Sequence, residues 1–228
     1  MRKIVIKRGI AYVIDVFIVV LFVTLLSFIP FVGNASKVYA DYRNELSKLD
    51  SDLKTGLISN SEYEAKVIDI KYDADKGSVS YTLVSVGSLI LYFVVFQYFN
   101  KGQTVGKMIM KVRVVGNSGN KLSVFNYFVR SLVVNNLFSM FSQLICLGIF
   151  SKSSYYVIST GISNIGSFLL YATFVCALWR NDERGIHDIL GCSKVIDAGE
   201  GVVDIDCSDG KSDNFMENKV IDAVYEEN

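Results

Sequence analysis

The chain has 228 residues, of which 51% are hydrophobic, and its 23 basic and 23 acidic residues cancel in net charge. This apolar content is collected in blocks, which excludes an ordinary soluble domain. The basic residues flank the apolar blocks instead of forming a patch, which argues against nucleic-acid binding.

Four apolar segments are long enough to cross a bilayer, which takes about 20 helical residues. We predict membrane spans at 9–31, 79–99, 124–149 and 155–179. Pro30 is expected to close the first helix, and Ser123 to cap the third. The predicted fold class is an all-α membrane protein, a bundle of about four transmembrane helices.

Charges in the connecting segments predict the orientation of these spans. The residues before the first span and the loop 100–123 are basic and contain no acid, whereas 32–78 contains nine acidic and seven basic residues. By the positive-inside rule we expect a multi-pass protein of the cell membrane with both termini and loop 100–123 in the cytoplasm. A signal peptide cleaved near Ala40 is the alternative, and Asp15 within the apolar run argues against it.

The external segment 36–76 predicts a helical hairpin. Apolar residues recur at three- and four-residue spacing on both sides of a turn. Two capping boxes are available for the second helix, Ser59 with Glu62 and Ser61 with Glu64. This segment is an insert in a transmembrane domain that we assign to residues 1–196.

The cytoplasmic segments have different patterns. Alternation over 110–115, followed by a Gly-Asn turn, predicts a short β-hairpin-like loop. From residue 197 onward the chain contains ten acidic residues and two lysines, and we predict a disordered acidic tail at 197–228.

No catalytic or metal-binding motif is complete. A phosphate-binding loop ending at Gly106-Lys107 would need a glycine where Lys101 stands and a Ser/Thr where Met108 stands. Residues 204–215 lack the glycine position and the bidentate glutamate of a calcium loop. The four cysteines have no metal or redox spacing, and His187 is the single histidine. We therefore expect no enzymatic activity, no metal and no cofactor.

Ionisable residues are expected to meet at the cytoplasmic end of the bundle. Asp15 interrupts the apolar run, where an unpaired acid is costly. Arg8 lies on the same helix face as Asp15 and is its nearest candidate partner. Such a group either couples the movement of ions or protons or only holds the helices together. The proposed cluster consists of Arg8, Asp15, Arg130, Arg184, His187 and Asp188.

Three stretches resemble the RDD family of membrane proteins, named for one arginine and two aspartates. They are residues 8–15 (RGIAYVID), 102–107 (GQTVGK) with 112–115 (VRVV), and 185–196 (GIHDILGCSKVI). The resemblance assigns Arg8 as the arginine and Asp15 and Asp188 as the aspartates. It implies a small multi-pass bundle and, for some members, transport or cation/proton exchange. Its glycine loop corresponds to Gly102, Gln103, Thr104, Gly106 and Lys107.

The leading functional hypothesis is movement of an ion or small solute by cation/proton exchange at the Asp-Arg cluster. In it, Asp15 alternates between protonated and cation-bound states and His187 relays protons. The alternative is a non-transporting anchor or accessory protein that binds partners through its outer hairpin and acidic tail. The expected partners are the lipid bilayer, a second copy of the chain, and monovalent cations or protons.

Overall fold

Helices make up most of the chain over the residues that the computed structural model describes, which are 3–117, 119 and 121–198. Beyond residue 198, the predicted tail lies outside the described residues, as do the near-miss calcium loop and Cys207. In chain order the elements are α1 (Lys3–Leu26), α2 (Pro30–Lys54), α3 (Asn60–Gly77), α4 (Val79–Ile90), a π-helical segment (Leu91–Phe96), α5 (Gln97–Phe99), α6 (Val105–Ile109), β1 (Val112–Gly116), α7 (Val124–Val134), α8 (Leu137–Ile149), α9 (Lys152–Trp179), α10 (Ile186–Leu190) and β2 (Ser193–Asp197).

Three uninterrupted helical stretches are long and apolar enough to cross a membrane, and they match the first, second and fourth predicted spans. They are Ile4–Leu26, Val79–Phe99 and Lys152–Trp179. Large apolar side chains on these helices are exposed, as expected for surfaces that contact lipid. Pro30 does not close α1, which ends at Leu26. It is instead at the first turn of α2, where the missing N–H of proline has no cost.

The segment 124–149, predicted as the third span, is not one continuous helix. α7 and α8 meet at an angle of 80°, so the bundle has a fourth span only if this bent pair is counted as one. Asn136 forms the break, with a left-handed backbone at φ 52°. Asparagine tolerates that conformation because its short side chain bonds locally, and here its Oδ1 accepts a hydrogen bond from Ser139 at 2.7 Å. Ser123 caps α7, as predicted, by accepting from the N–H of Asn126.

The predicted helical hairpin over 36–76 is confirmed as α2 and α3. The capping box of α3 is the earlier of the two candidates, formed by Ser59 and Glu62. The hairpin packs on the first turn of α9, where the hydroxyl of Tyr155 donates to Asp75 at 2.8 Å. This contact lies at the end of the bundle that is farther from Arg8. We call this end the hairpin end.

The strand predicted within 110–115 exists, but the local β-hairpin does not. β1 pairs antiparallel with β2, with Val114 opposite Val195. Alternation specifies a strand and its buried face, here Val112 and Val114, without specifying its partner. Asp197, assigned to the tail, ends β2 and forms an ion pair with Lys7. The sheet, α6 and α10 thus gather at one end of the bundle, the loop end.

Two buried apolar clusters meet at the π-helical segment. Val94 packs with β1 and α7, and the neighbouring Phe93 packs with Val19 and Val23 of α1. The second span therefore connects the core of the loop end with the core between the apolar helices.

Candidate functional site

Asp15 is fully buried and binds the glycine loop, residues 102–107. Its Oδ1 accepts hydrogen bonds from the hydroxyl of Tyr92 at 2.7 Å and from the N–H of Gly106 at 2.7 Å. Its Oδ2 accepts from the hydroxyl of Thr104 at 2.5 Å. Position 106 must be glycine for this approach, because a Cβ there would overlap the carbonyl oxygen of Ala11. Asp15 therefore fastens the loop to α1.

Arg8 does not pair with Asp15 in the structure. Its guanidinium forms an ion pair with Asp188 and donates to the carbonyl oxygen of Glu183 at 2.6 Å. The seven-residue spacing puts Arg8 and Asp15 on one face of α1 but about 10 Å apart along the axis. Each side chain therefore finds partners at its own level.

Asp188 is the centre of a charge cluster made of Arg8, Arg130, His187 and Asp188. Its carboxylate is fully buried and accepts from Arg8, from Arg130 and from the N–H of Gly185 at 3.0 Å. Burial alone would raise the pKa of Asp188, but the neighbouring charge, that of Arg130 foremost, holds the pKa below its usual range. Arg130 also donates to Ser193 of β2. One carboxylate thus connects α1, α7 and α10.

His187 lies beside these arginines, with its Nε2 3.2 Å from Nη2 of Arg8. Burial lowers the pKa of His187 to about 4, so the ring is neutral near pH 7. Its Nδ1 has no hydrogen-bond partner among the described residues. Arg184, predicted to join the cluster, lies apart and donates to Asn117 at 2.8 Å.

The remaining residues of the glycine loop divide into two roles. Gly102, at φ 86°, touches β1 so closely that a Cβ would overlap the carbonyl oxygen of Val114, and Gln103 donates to the carbonyl of Val112 at 3.0 Å. Lys107 differs, because its ammonium has no hydrogen bond or ion pair within the described part of the chain. Burial, together with the charge of Arg130, lowers the pKa of Lys107 to about 7.

A cavity of about 510 Å³ lies between α1, the second span, α7 and α9. Arg8, Lys107, Arg130 and His187 line its polar part, and no Asp or Glu side chain is in the described wall. The rest of the wall is mostly apolar. A smaller cavity of about 260 Å³ follows α1 toward the hairpin end, and Tyr12 and Asn135 line both.

Sequence reasoning did not find Tyr92, which binds Asp15, or Thr173, which lines the larger cavity. The available signal for Tyr92 was its hydroxyl in the middle of an apolar span, since a buried hydroxyl needs a hydrogen-bond partner. Thr173 has no comparable signal, because threonine is common in membrane helices.

The sequence model of the RDD family matches residues 4–191, which include the charge cluster, Asp15 and the glycine loop. The chain belongs to the RDD family. This confirms the resemblance drawn from the three sequence stretches. Family membership and the apolar helices together indicate a membrane protein.

Among curated proteins, this RDD chain is similar to the uncharacterized protein YckC of Bacillus subtilis (strain 168). The two are 26% identical over 113 residues, which cover 50% of this chain and 59% of YckC. The matched region is therefore less than two thirds of that relative. No solved structure matches the chain.

Proposed function

We propose that this RDD protein binds a small anionic solute in the larger cavity and moves it across the membrane together with protons. The observation that carries the proposal is the charge of the cavity wall. Arg8, Lys107 and Arg130 line it, and no carboxylate does among the described residues. A concave site lined by one sign of charge attracts the opposite sign, so this cavity favours an anion.

The geometry gives less support to cation exchange at Asp15. Both of its carboxylate oxygens accept hydrogen bonds, and its side chain lines neither cavity. A coupling carboxylate has to exchange its bound cation with solvent, whereas these bonds hold a loop in place. We therefore assign Asp15 a structural role, and cation exchange becomes the competing outcome in the test below.

Lys107 supplies a means of linking the solute to protons. With a pKa of about 7, its ammonium loses a proton readily when the cavity is empty. An anion bound nearby favours the charged form and raises the pKa again. Binding therefore takes up a proton, and release of the anion frees it.

The two cavities suggest the route. The smaller one is lined by α1 residues such as Val16 and Val20 and by the second span, and it adjoins the larger one at Tyr12 and Asn135. The hydroxyl of Tyr12 donates to the carbonyl oxygen of Val134 at 2.9 Å, next to the break between α7 and α8. Rotation of the Tyr12 side chain would join the cavities.

The test uses purified protein in liposomes that contain a pH-sensitive dye. Gradients of chloride, phosphate and acetate are imposed in one series, and of Na⁺, K⁺ and Li⁺ in another. We expect anion-driven proton movement in the wild type and in the control Lys101→Gln, which removes an exposed charge outside the cavity. Lys107→Gln should abolish it.

Two results would overturn the proposal. Proton movement driven only by cations, and lost in Asp15→Asn, would identify a cation/proton exchanger. No response to any gradient, together with a phenotype that depends on residues 36–76, would identify an accessory protein that binds partners through its hairpin.

The proposal includes the orientation predicted from the charge pattern, with the hairpin outside and both termini in the cytoplasm. Leu57 is exposed in the turn between α2 and α3. In a variant whose native cysteines are serines, Leu57→Cys should react with a membrane-impermeant maleimide on intact cells. Reaction only after lysis would reverse the orientation.

A further inference from the structure

We infer that the anion is an amphiphile, whose acidic headgroup lies against Arg8, Lys107 and Arg130 and whose apolar chain lies between α1 and α9. This rests on the proposed function and names the substrate class. The headgroup chemistry is that of a phosphate or carboxylate carried on a hydrocarbon chain.

Unpaired polar atoms in the cavity wall point to a polar ligand. As whole residues, Thr173 and His187 are 5% and 8% exposed, and both line the cavity. Thr173 Oγ1, His187 Nδ1 and Asn135 Oδ1, also in the wall, have no hydrogen-bond partner among the described residues. Buried polar atoms in folded proteins are nearly always paired. Oxygens of an acidic headgroup would accept from the hydroxyl of Thr173 and from the Nδ1–H of His187, whose Nε2 faces the guanidinium donor of Arg8. Asn135 Oδ1 is itself an acceptor, so it would need an O–H of the ligand.

The charges of the wall are also unbalanced. Arg8 and Arg130 share the single carboxylate of Asp188, and Lys107 has no ion-pair partner in the described chain. Guanidinium groups bind carboxylate and phosphate oxygens through paired N–H groups, and an ammonium binds phosphate as a point charge. An acidic headgroup would therefore neutralise the excess positive charge at this end.

The opposite end of the cavity is apolar and open to the side of the bundle. Val13, Tyr171 and Phe174 line the cavity, yet they are 66%, 72% and 58% exposed. The wall thus continues onto the outer surface between α1 and α9. In a bilayer this surface contacts acyl chains, so a lipid-like molecule can enter sideways while its chain stays in hydrocarbon.

The size and composition of the cavity favour an amphiphile over an inorganic anion. About 510 Å³ is within the range of sites for organic ligands, and Phe93 and Leu170 add apolar wall that a free phosphate would leave unused.

The test measures binding to the purified full-length protein in detergent by native mass spectrometry and by the shift in unfolding temperature. The probes are dioctanoyl phosphatidic acid, octanoate, dioctanoyl phosphatidylcholine and inorganic phosphate. We expect the two anionic amphiphiles to bind and the zwitterionic lipid and free phosphate to bind at least about tenfold more weakly, since a lost charge contact is worth about that factor. Preference between the first two probes identifies the headgroup.

Two variants connect this binding to the cavity. Lys107→Gln should weaken binding of the anionic amphiphiles about tenfold, while Lys101→Gln should not. Thr173→Val should weaken binding yet raise the unfolding temperature of the ligand-free protein, because it removes an unpaired buried hydroxyl. Equal binding of phosphatidylcholine, full competition by free phosphate at equal concentration, or identical effects of the two lysine variants would each overturn the inference.

Failure of this inference is distinguishable from failure of the proposed function. If the anionic amphiphiles bind but no proton movement occurs in liposomes even when dioctanoyl phosphatidic acid supplies the anion gradient, transport is refuted and the ligand class stands. Flux of chloride or phosphate without amphiphile binding refutes the ligand class alone.

Discussion

Replacing Asp15 by alanine removes the acceptor that fastens the glycine loop to α1. The N–H of Gly106 and the hydroxyl of Thr104 are both buried, and both lose their partner. An unsatisfied buried donor costs about 1–3 kcal/mol, so Asp15→Ala should lower the free energy of unfolding by about 2–6 kcal/mol. Asp15→Asn keeps one oxygen to accept from Tyr92 and Gly106 and replaces the other by an NH2 group, from which the hydroxyl of Thr104 can accept. A smaller loss of about 1–2 kcal/mol is therefore expected.

The assay is unfolding of the purified protein in mixed micelles at increasing denaturing detergent. A double-mutant cycle with Thr104→Val isolates the shared hydrogen bond, and its coupling energy should be about 1–2 kcal/mol, within the range for contacting residues. Thr82→Val is the matched control, because the hydroxyl of Thr82 donates within its own helical region to Ser78. Its effect should add to that of Asp15→Ala.

The structural assignment of Asp15 has a clear refutation. If Asp15→Asn unfolds like the wild type but loses flux in liposomes, Asp15 acts in coupling and does not merely hold the loop. A loss of stability below about 1 kcal/mol for Asp15→Ala would likewise contradict the three hydrogen bonds.

Three further predictions follow from the same region. Gly106→Ala should lower the unfolding temperature because the added Cβ would overlap Ala11, whereas Gly87→Ala, whose Cβ would meet open space, should not. Asp188→Asn should cost about 3–5 kcal/mol in the same unfolding assay, since it leaves two buried guanidinium groups without their carboxylate; a smaller loss than for Asp15→Asn would contradict the cluster. For Lys107 the folded pKa is about 7 against an ordinary value of 10.5, so between these values the unfolded state binds more protons. The unfolding free energy of the ligand-free protein should therefore rise with pH from about 7 to 10.5, and Lys107→Met should flatten that rise, as thermal unfolding at a series of pH values would show.

The apolar helices were predictable from sequence because the hydropathy and the length of a helix are both properties of one continuous segment. The break at Asn136 was not, although two consecutive asparagines mark the place. A left-handed residue within a helix depends on what packs beside it, here Gly166, where a Cβ would overlap the side chains of Asn136 and Ser139. Hydropathy alone therefore predicted one span over 124–149.

The candidate site was likewise predictable only in part. Arg8, Arg130, His187 and Asp188 were expected at one end of the bundle, and the structure brings them together there. Arg8 was expected to be the partner of Asp15, but the glycine loop is. Helical spacing predicts which residues share a helix face, and it gives no information about a loop that lies 89 residues further along the chain. The partner of β1 was missed for the same reason, since it lies after the last apolar helix.

Under the proposed function, the break at Asn136 would also determine how the membrane voltage acts on the bound anion. α8 has 13 residues and extends about 20 Å, compared with about 30 Å for the hydrocarbon layer. If water reaches the larger cavity, the membrane potential falls mainly over the distance between that cavity and the hairpin end, which is shorter than the full hydrocarbon layer. Under the proposed function, an anion that left the cavity toward the hairpin end without its proton would cross most of the potential difference in that step, at about 2.3 kcal/mol per charge for each 100 mV. With one proton it would carry no net charge across, so a steep dependence of the rate on voltage would show that the anion and the proton cross separately.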